Sequence, residues 1–112
     1  MRSCTARFAA AFASERGEIN LDRHLIDQEL VRLRAPLERQ DGIPPEQMEY
    51  KVRRLVNDYL QPPKVTRRME IGLERILAVR EDLKLLKAND AHELMRAMEV
   101  HSIVDCAEMA AR

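Results

Sequence analysis

Two proline pairs, Pro44-Pro45 and Pro62-Pro63, constrain the folding of this 112-residue chain more than any other feature. A proline has no N–H to donate and a fixed φ, so it suits the first turn of a helix and disrupts the interior. The residue before a proline also avoids the helical region, so Pro62-Pro63 ends whatever helix precedes it. Between these breakers Leu, Ala, Glu and Arg dominate, residues of strong helix preference. Aromatics make up 4% with no Trp, which speaks against an all-β fold. The pattern predicts an all-α chain of helical blocks with short connections, and hence antiparallel neighbours.

The blocks can be placed by period. Residues 6–14 form a short Ala/Phe stretch with Phe8 and Phe12 at i, i+4, and residues 15–20 read as a polar linker around Gly17. A helix begins near Asp22, with Ile26, Leu30, Leu33 and Leu37 as its apolar stripe. Pro36 lies inside this pattern and predicts a kink or an early end, before Gln40-Asp41-Gly42 stops the helix. Pro44-Pro45 opens the next helix, with Met48, Val52, Leu55, Val56 and Tyr59 on its buried side. Glu49/Arg53 and Arg54/Asp58 are i, i+4 ion pairs on its wet side. A long helix over about 64–86 puts Met69, Leu73, Ile76, Leu77, Leu83 and Leu86 inward. Asp90-x-x-Glu93 has the form of a capping box for the last helix. That helix runs to Arg112 with no Gly or Pro stop signal, the expectation for a piece of something longer.

Length and charge narrow the function classes. A chain of this size is one ordinary domain, able to bury roughly two-thirds of its unfolded surface without metal or disulfide. Nineteen Lys+Arg balance nineteen Asp+Glu, which argues against a dedicated nucleic-acid or anionic-membrane binder. At 46% hydrophobic it is too apolar for a disordered tail. No segment approaches the roughly 18 apolar residues of a membrane span. No signal peptide is visible, so the thiols of Cys4 and Cys106 are expected to be reduced and the protein cytoplasmic. Gly17, Gly42 and Gly72 lie too far apart to cradle a phosphate, so neither a dinucleotide fingerprint nor a P-loop is present.

No catalytic, cofactor-binding or metal-ligating set emerges from the residues. His101 and Asp105 lie one turn apart, but no third ligand has suitable spacing, and a partly buried imidazole hydrogen-bonded to a helical neighbour is expected. His24 and His92 sit near helix starts, where the dipole disfavours their charged forms. Cys106, among Val104, Ala107 and Met109, reads as a small core residue; Cys4 carries no signal. Lys51, Arg53, Arg54, Arg67 and Arg68 are interleaved with Glu46, Glu49, Asp58 and Glu70, the mark of a solvated face. Met48, Met69, Met95, Met98 and Met109 read as adaptable core filler.

Beyond these physical readings, the text of several blocks is similar to one family. Val52-Arg53-Arg54-Leu55-Val56-Asn57-Asp58-Tyr59-Leu60 resembles the opening core helix of the C-terminal helical domain in the flavoprotein subunit of the fumarate reductase/succinate dehydrogenase family. Ile71-Gly72-Leu73-Glu74-Arg75-Ile76-Leu77 with Asp82-Leu83 resembles its long central helix. Lys87-Ala88-Asn89-Asp90-Ala91-His92-Glu93-Leu94, Met98-Glu99-Val100 and Ala107-Glu108-Met109-Ala110-Ala111-Arg112 resemble its last. The adenylylsulfate reductase-like branch is the nearest in pattern. The resemblance covers residues 21–112, and residues 1–20 look like the helix and linker closing a flavin-binding domain upstream.

The resemblance implies a three-helix, spectrin-repeat-like antiparallel bundle with an extra N-terminal helical segment. It implies a non-catalytic domain that packs on the flavin-binding domain of the same polypeptide, with an iron–sulfur subunit as a further partner. FAD would belong to the parent oxidoreductase and not to this segment. The flavin site and substrate-binding residues of the family fall outside the matched positions, as does an Arg-x-Glu-Ser-Arg-like stretch after the last helix, so no functional residue carries over. A free-standing helical interaction or dimerisation module is the alternative. On the last helix Leu94 and Met98 share one side, while Val100, Ile103, Val104 and Ala107 lie roughly 180–280° round the axis from Leu94. Together with Phe8 and Phe12, this predicts a second docking surface and self-association in isolation.

Overall fold

A computed structural model describes residues 4–112, and its described residues form five α-helices and one 3₁₀ turn with no strand. These are α1 (Cys4–Arg16), α2 (Arg23–Glu38), α3 (Pro45–Tyr59), α4 (Thr66–Asp82), the 3₁₀ turn Leu83–Leu85 and α5 (Ala91–Ala111). The all-α expectation holds. The chain divides into two compact units, one reaching to Leu30 and the other Val31–Arg112.

In the first unit, α1 buries no residue, and Phe8 and Phe12 are exposed at 74% and 58%. The Arg16 guanidinium lies over the Phe12 ring, 4.5 Å from its centroid. Gly17 follows at φ +66°, the left-handed conformation in which glycine commonly ends a helix. Asp22 then starts α2: its carboxylate accepts from the His24 N–H at 2.9 Å, and its carbonyl accepts from Ile26. Leu21, Leu25, Ile26 and Leu30 are exposed along this stretch.

The second unit is organised by α3, α4 and α5, which pack pairwise against one another. Pro44 and Pro45 sit at the N-terminus of α3, as the first proline pair predicts, and Leu60 closes it before Pro62. Met48, Val52 and Leu55 are buried and Val56 and Tyr59 pack against the core, as the period requires. From α4 come Ile76 and Val79, from the turn beyond it Leu83 and Leu86, and from α5 Ala97, Val100, Val104, Ala107 and Ala111. Asp90 caps α5 by accepting from the Glu93 N–H at 2.8 Å, while the Glu93 carboxylate accepts from Asn89 N–H at 2.8 Å. The box closes one residue earlier than its usual form. Asp90→Ala should lower the unfolding free energy by about 1 kcal/mol in urea denaturation, with Asp90→Asn nearly neutral.

Several expectations are corrected. In the second unit the α2 stripe is covered only in part: Leu37 is exposed, Leu33 is half-buried, and Pro36 is the buried residue of the helix, while Ile26 and Leu30 of the first unit are exposed within it. Its period marks an apolar face without saying what covers it. The helix ends at Glu38, two residues past Pro36 and short of Gln40-Asp41-Gly42, in keeping with an early end at the proline, whose missing N–H costs only one bond so close to the end. The long helix is shorter than 64–86, giving way to 3₁₀ geometry at Leu83. On it Leu77 is 40% exposed, and Gly72 and Val79 are buried instead.

A contact between loops closes the base of this unit. Ile43 N–H donates to the Leu85 carbonyl at 2.8 Å and Lys87 N–H to the Ile43 carbonyl at 2.9 Å, an isolated parallel bridge of Ile43 with Leu86. Ala88 N–H donates to the Pro36 carbonyl at 2.8 Å, and the Arg39 guanidinium to the Leu86 carbonyl at 2.7 Å. These bonds fix the C-terminal end of α2 against the turn that follows α4. Leu86 is left fully buried.

Candidate functional site

That closure builds a cleft. Arg32, Ala35, Pro36 and Arg39 follow helical spacing along the end of α2 and just beyond it; Arg80, Leu83 and Lys84 do so at the end of α4. With His101 of α5 they line a cleft of about 280 Å³. Four lining side chains are cationic, and no Asp or Glu is among the lining residues. Cations are favoured at helix C-termini, where unpaired carbonyls concentrate negative potential, which accounts locally for Arg80 in the last turn of α4.

Each charge has its own surroundings. Arg80 donates to the Asp105 carboxylate at 2.7 Å and to Glu108 at 2.5 Å, bonds that raise its pKa above the ordinary arginine value. Its Nε is buried and finds no hydrogen-bond partner. Glu108 also takes a bond from Arg112 at 2.9 Å; that bond first, and the Arg80 bond second, hold its carboxyl below the usual range. Lys84 pairs with Glu81 at 2.5 Å, both well exposed. His101 is half-buried, and burial, reinforced by Arg32 and Arg80 against the opposing Asp105, pushes its imidazole below its ordinary pKa.

The single-turn pair His101/Asp105 is thus divided: Asp105 serves Arg80, and His101 faces the cleft. Among the described residues no group of three or more His, Cys, Asp or Glu side chains could hold a metal ion. His24 lies 3.1 Å from the Gln28 side-chain nitrogen, and His92 is exposed at the start of α5. Cys106 is exposed, not a core residue, because α5 turns its opposite side to α3 and α4; Cys4 is exposed as well. Met48 is buried and Met69 packs against the core, but Met95, Met98 and Met109 are exposed, Met109 at 77%.

The basic residues of α3 and α4 form the solvated face that their spacing predicts. Lys51 pairs with Asp82 at 2.7 Å, Arg53 with Glu49 at 2.5 Å, and Arg54 with Asp58 at 3.9 Å. Arg67 pairs with Glu70 at 3.5 Å, and Arg68 donates to the Asp58 carbonyl at 2.7 Å. Exposed pairs of this kind are worth a few tenths of a kcal/mol each. No helix among the described residues is long and apolar enough to cross a membrane.

Sequence reasoning missed the cleft. The i, i+4 spacing of Arg32 with Pro36 and of Arg80 with Lys84 is visible in the chain, but nothing local says that the two faces meet. Against known proteins, the chain matches no family model and no curated protein.

Proposed function

We propose that this chain is a non-catalytic helical packing domain, the C-terminal domain of an FAD-dependent flavoprotein subunit of the fumarate reductase/succinate dehydrogenase type. Its α3, α4 and α5 correspond in this reading to a spectrin-repeat-like antiparallel three-helix bundle. The role is to pack on and support the flavin-binding domain of the same polypeptide, or an iron–sulfur partner subunit. The observation that carries the reading is a core already filled while further apolar surface stays exposed. Val100, Val104 and Ala107 occupy the bundle side of α5, yet Met95, Met98 and Met109 remain outward. Phe8, Phe12, Leu21 and Leu25 add exposed apolar surface in the first unit. Large exposed apolar area is the usual mark of a docking surface.

The reading frame around this chain tests the assignment. The expected result is an in-frame upstream continuation bearing a Gly-rich dinucleotide fingerprint, whose whole product purifies yellow with FAD. A native start at Met1 and a native stop after Arg112 would overturn it in favour of a free-standing interaction or dimerisation module. In isolation the chain should self-associate, with a mass by light scattering that rises with concentration. Phe8→Ser/Phe12→Ser and Met98→Ser/Met109→Ser, made separately, should identify the responsible face by restoring a monomer. A wild-type chain that stays monomeric at high concentration would remove the physical argument for a second docking surface.

A further inference from the structure

We propose that α1 of one copy of this chain docks on the start of α2 of a second copy, and the reverse, so that two chains exchange their N-terminal helices in a two-fold dimer. α1 is 13 residues long and buries none of them. A helix that short is marginal in water without tertiary cover, so α1 calls for a partner surface. Its own chain does not supply one. Leu21, Leu25, Ile26 and Leu30 are exposed as well, which they would not be with α1 folded back on them. An arm held clear of the surface it matches is the form from which domain swapping proceeds.

The two surfaces match in shape and in charge. Phe8 and Phe12, one turn apart, form a ridge on α1, and Arg16 extends it with its guanidinium over the Phe12 ring. At the start of α2, Leu21, Leu25, Ile26 and Leu30 line an apolar furrow of about 310 Å³ together with Asp22 and Glu29. Antiparallel docking seats the two rings between the Leu21/Leu25 and Ile26/Leu30 rows, with Arg16 toward Asp22 and Arg7 toward Glu29. α1 carries Arg7 and Arg16 against Glu15, whereas residues 22–30 carry Asp22, Asp27 and Glu29 against Arg23. The crossed pairing therefore attracts, while α1 on α1 or α2 on α2 sets like charges together.

The area suffices as well. At about 200 Å² for a whole residue of this size, Phe8, Phe12, Leu21, Leu25, Ile26 and Leu30, which are 42–74% exposed, offer on the order of 700 Å² per copy. A stable interface of standard size takes about 800 Å² from each partner. Every contact residue belongs to the first unit, so the exchange does not rest on the assignment proposed above and leaves Met95, Met98 and Met109 open for it.

Sedimentation equilibrium of the full chain tests the exchange. Wild type is expected at the mass of two chains, with no growth beyond it. Phe8→Ser/Phe12→Ser removes the ridge and Leu25→Ser/Ile26→Ser the furrow. Each alone should raise the dimer dissociation constant at least about a hundredfold, the effect of losing two large apolar side chains, with the urea midpoint of the second unit unchanged. Mixed in equal amounts, the two variants should recover the mass of two chains, because the ridge of one still meets the furrow of the other. A monomeric wild type, assembly past two chains, either variant dimerising unaided, or a mixture that stays monomeric at millimolar concentration would each overturn the exchange.

Discussion

Ile76→Ala should lower the unfolding free energy by about 2–5 kcal/mol, the range for deleting a large aliphatic side chain from a packed core. Ile76 is 1% exposed and belongs to the cluster that joins α3, α4 and α5, so the space it leaves is walled by three helices that cannot all move inward. Leu77→Ala, one residue on, is the internal comparison. With Leu77 at 40% exposure, much of its side chain already meets water, and its loss should cost under about 1 kcal/mol. Leu73 packs at the edge of the core and should fall between the two. Urea denaturation of the three variants checks the order. Equal costs at Ile76 and Leu77 would mean that α4 is rotated from the position described.

Gly42→Ala should be nearly as damaging, although it removes nothing. A Cβ at this position would run into the Leu85 carbonyl and lie 3.0 Å from Lys87 Cβ. Neither neighbour is the free end of a flexible side chain. Lys87 and Leu85 are held there by the bonds to Ile43, so the extra methyl must push the two loops apart. Opening the bridge weakens hydrogen bonds worth about 0.5–1.5 kcal/mol each and loosens the cover over buried Leu86. A total of about 2–4 kcal/mol follows, with faster amide exchange at Ile43, Lys87 and Ala88 as the local signature. The same change at Gly72 should cost less. There a Cβ meets Tyr59 Cβ at 2.9 Å, but alanine returns about 1 kcal/mol of helix propensity in the middle of α4. An unchanged unfolding midpoint in Gly42→Ala would show that the loop contact contributes nothing to stability.

What the sequence determined by itself is whatever rests on local chemistry. The proline pairs bound α3 because a missing N–H and a fixed φ act on the turn in which they occur. Asp90 starts α5 because a carboxylate three residues before a free N–H can satisfy it in any context. The buried side of α3 was legible because its apolar positions fall on one face only, with Glu49, Arg53, Arg54 and Asp58 away from it. Only the tertiary structure decided the rest. α2 shows a regular stripe, yet its fully buried residue is Pro36, since periodicity describes a face and not its partner. α5 is apolar on more than one side, so its pattern could not choose an orientation. In the fold Ala97, Val100, Val104, Ala107 and Ala111 face α3 and α4, and Met95, Met98, Cys106 and Met109 face outward. Small side chains allow the helix axes to approach closely, whereas the longer methionines would hold them apart. The Ile43–Leu86 bridge and the cleft beside the end of α4 join residues that are distant in the chain, so no local pattern announces them.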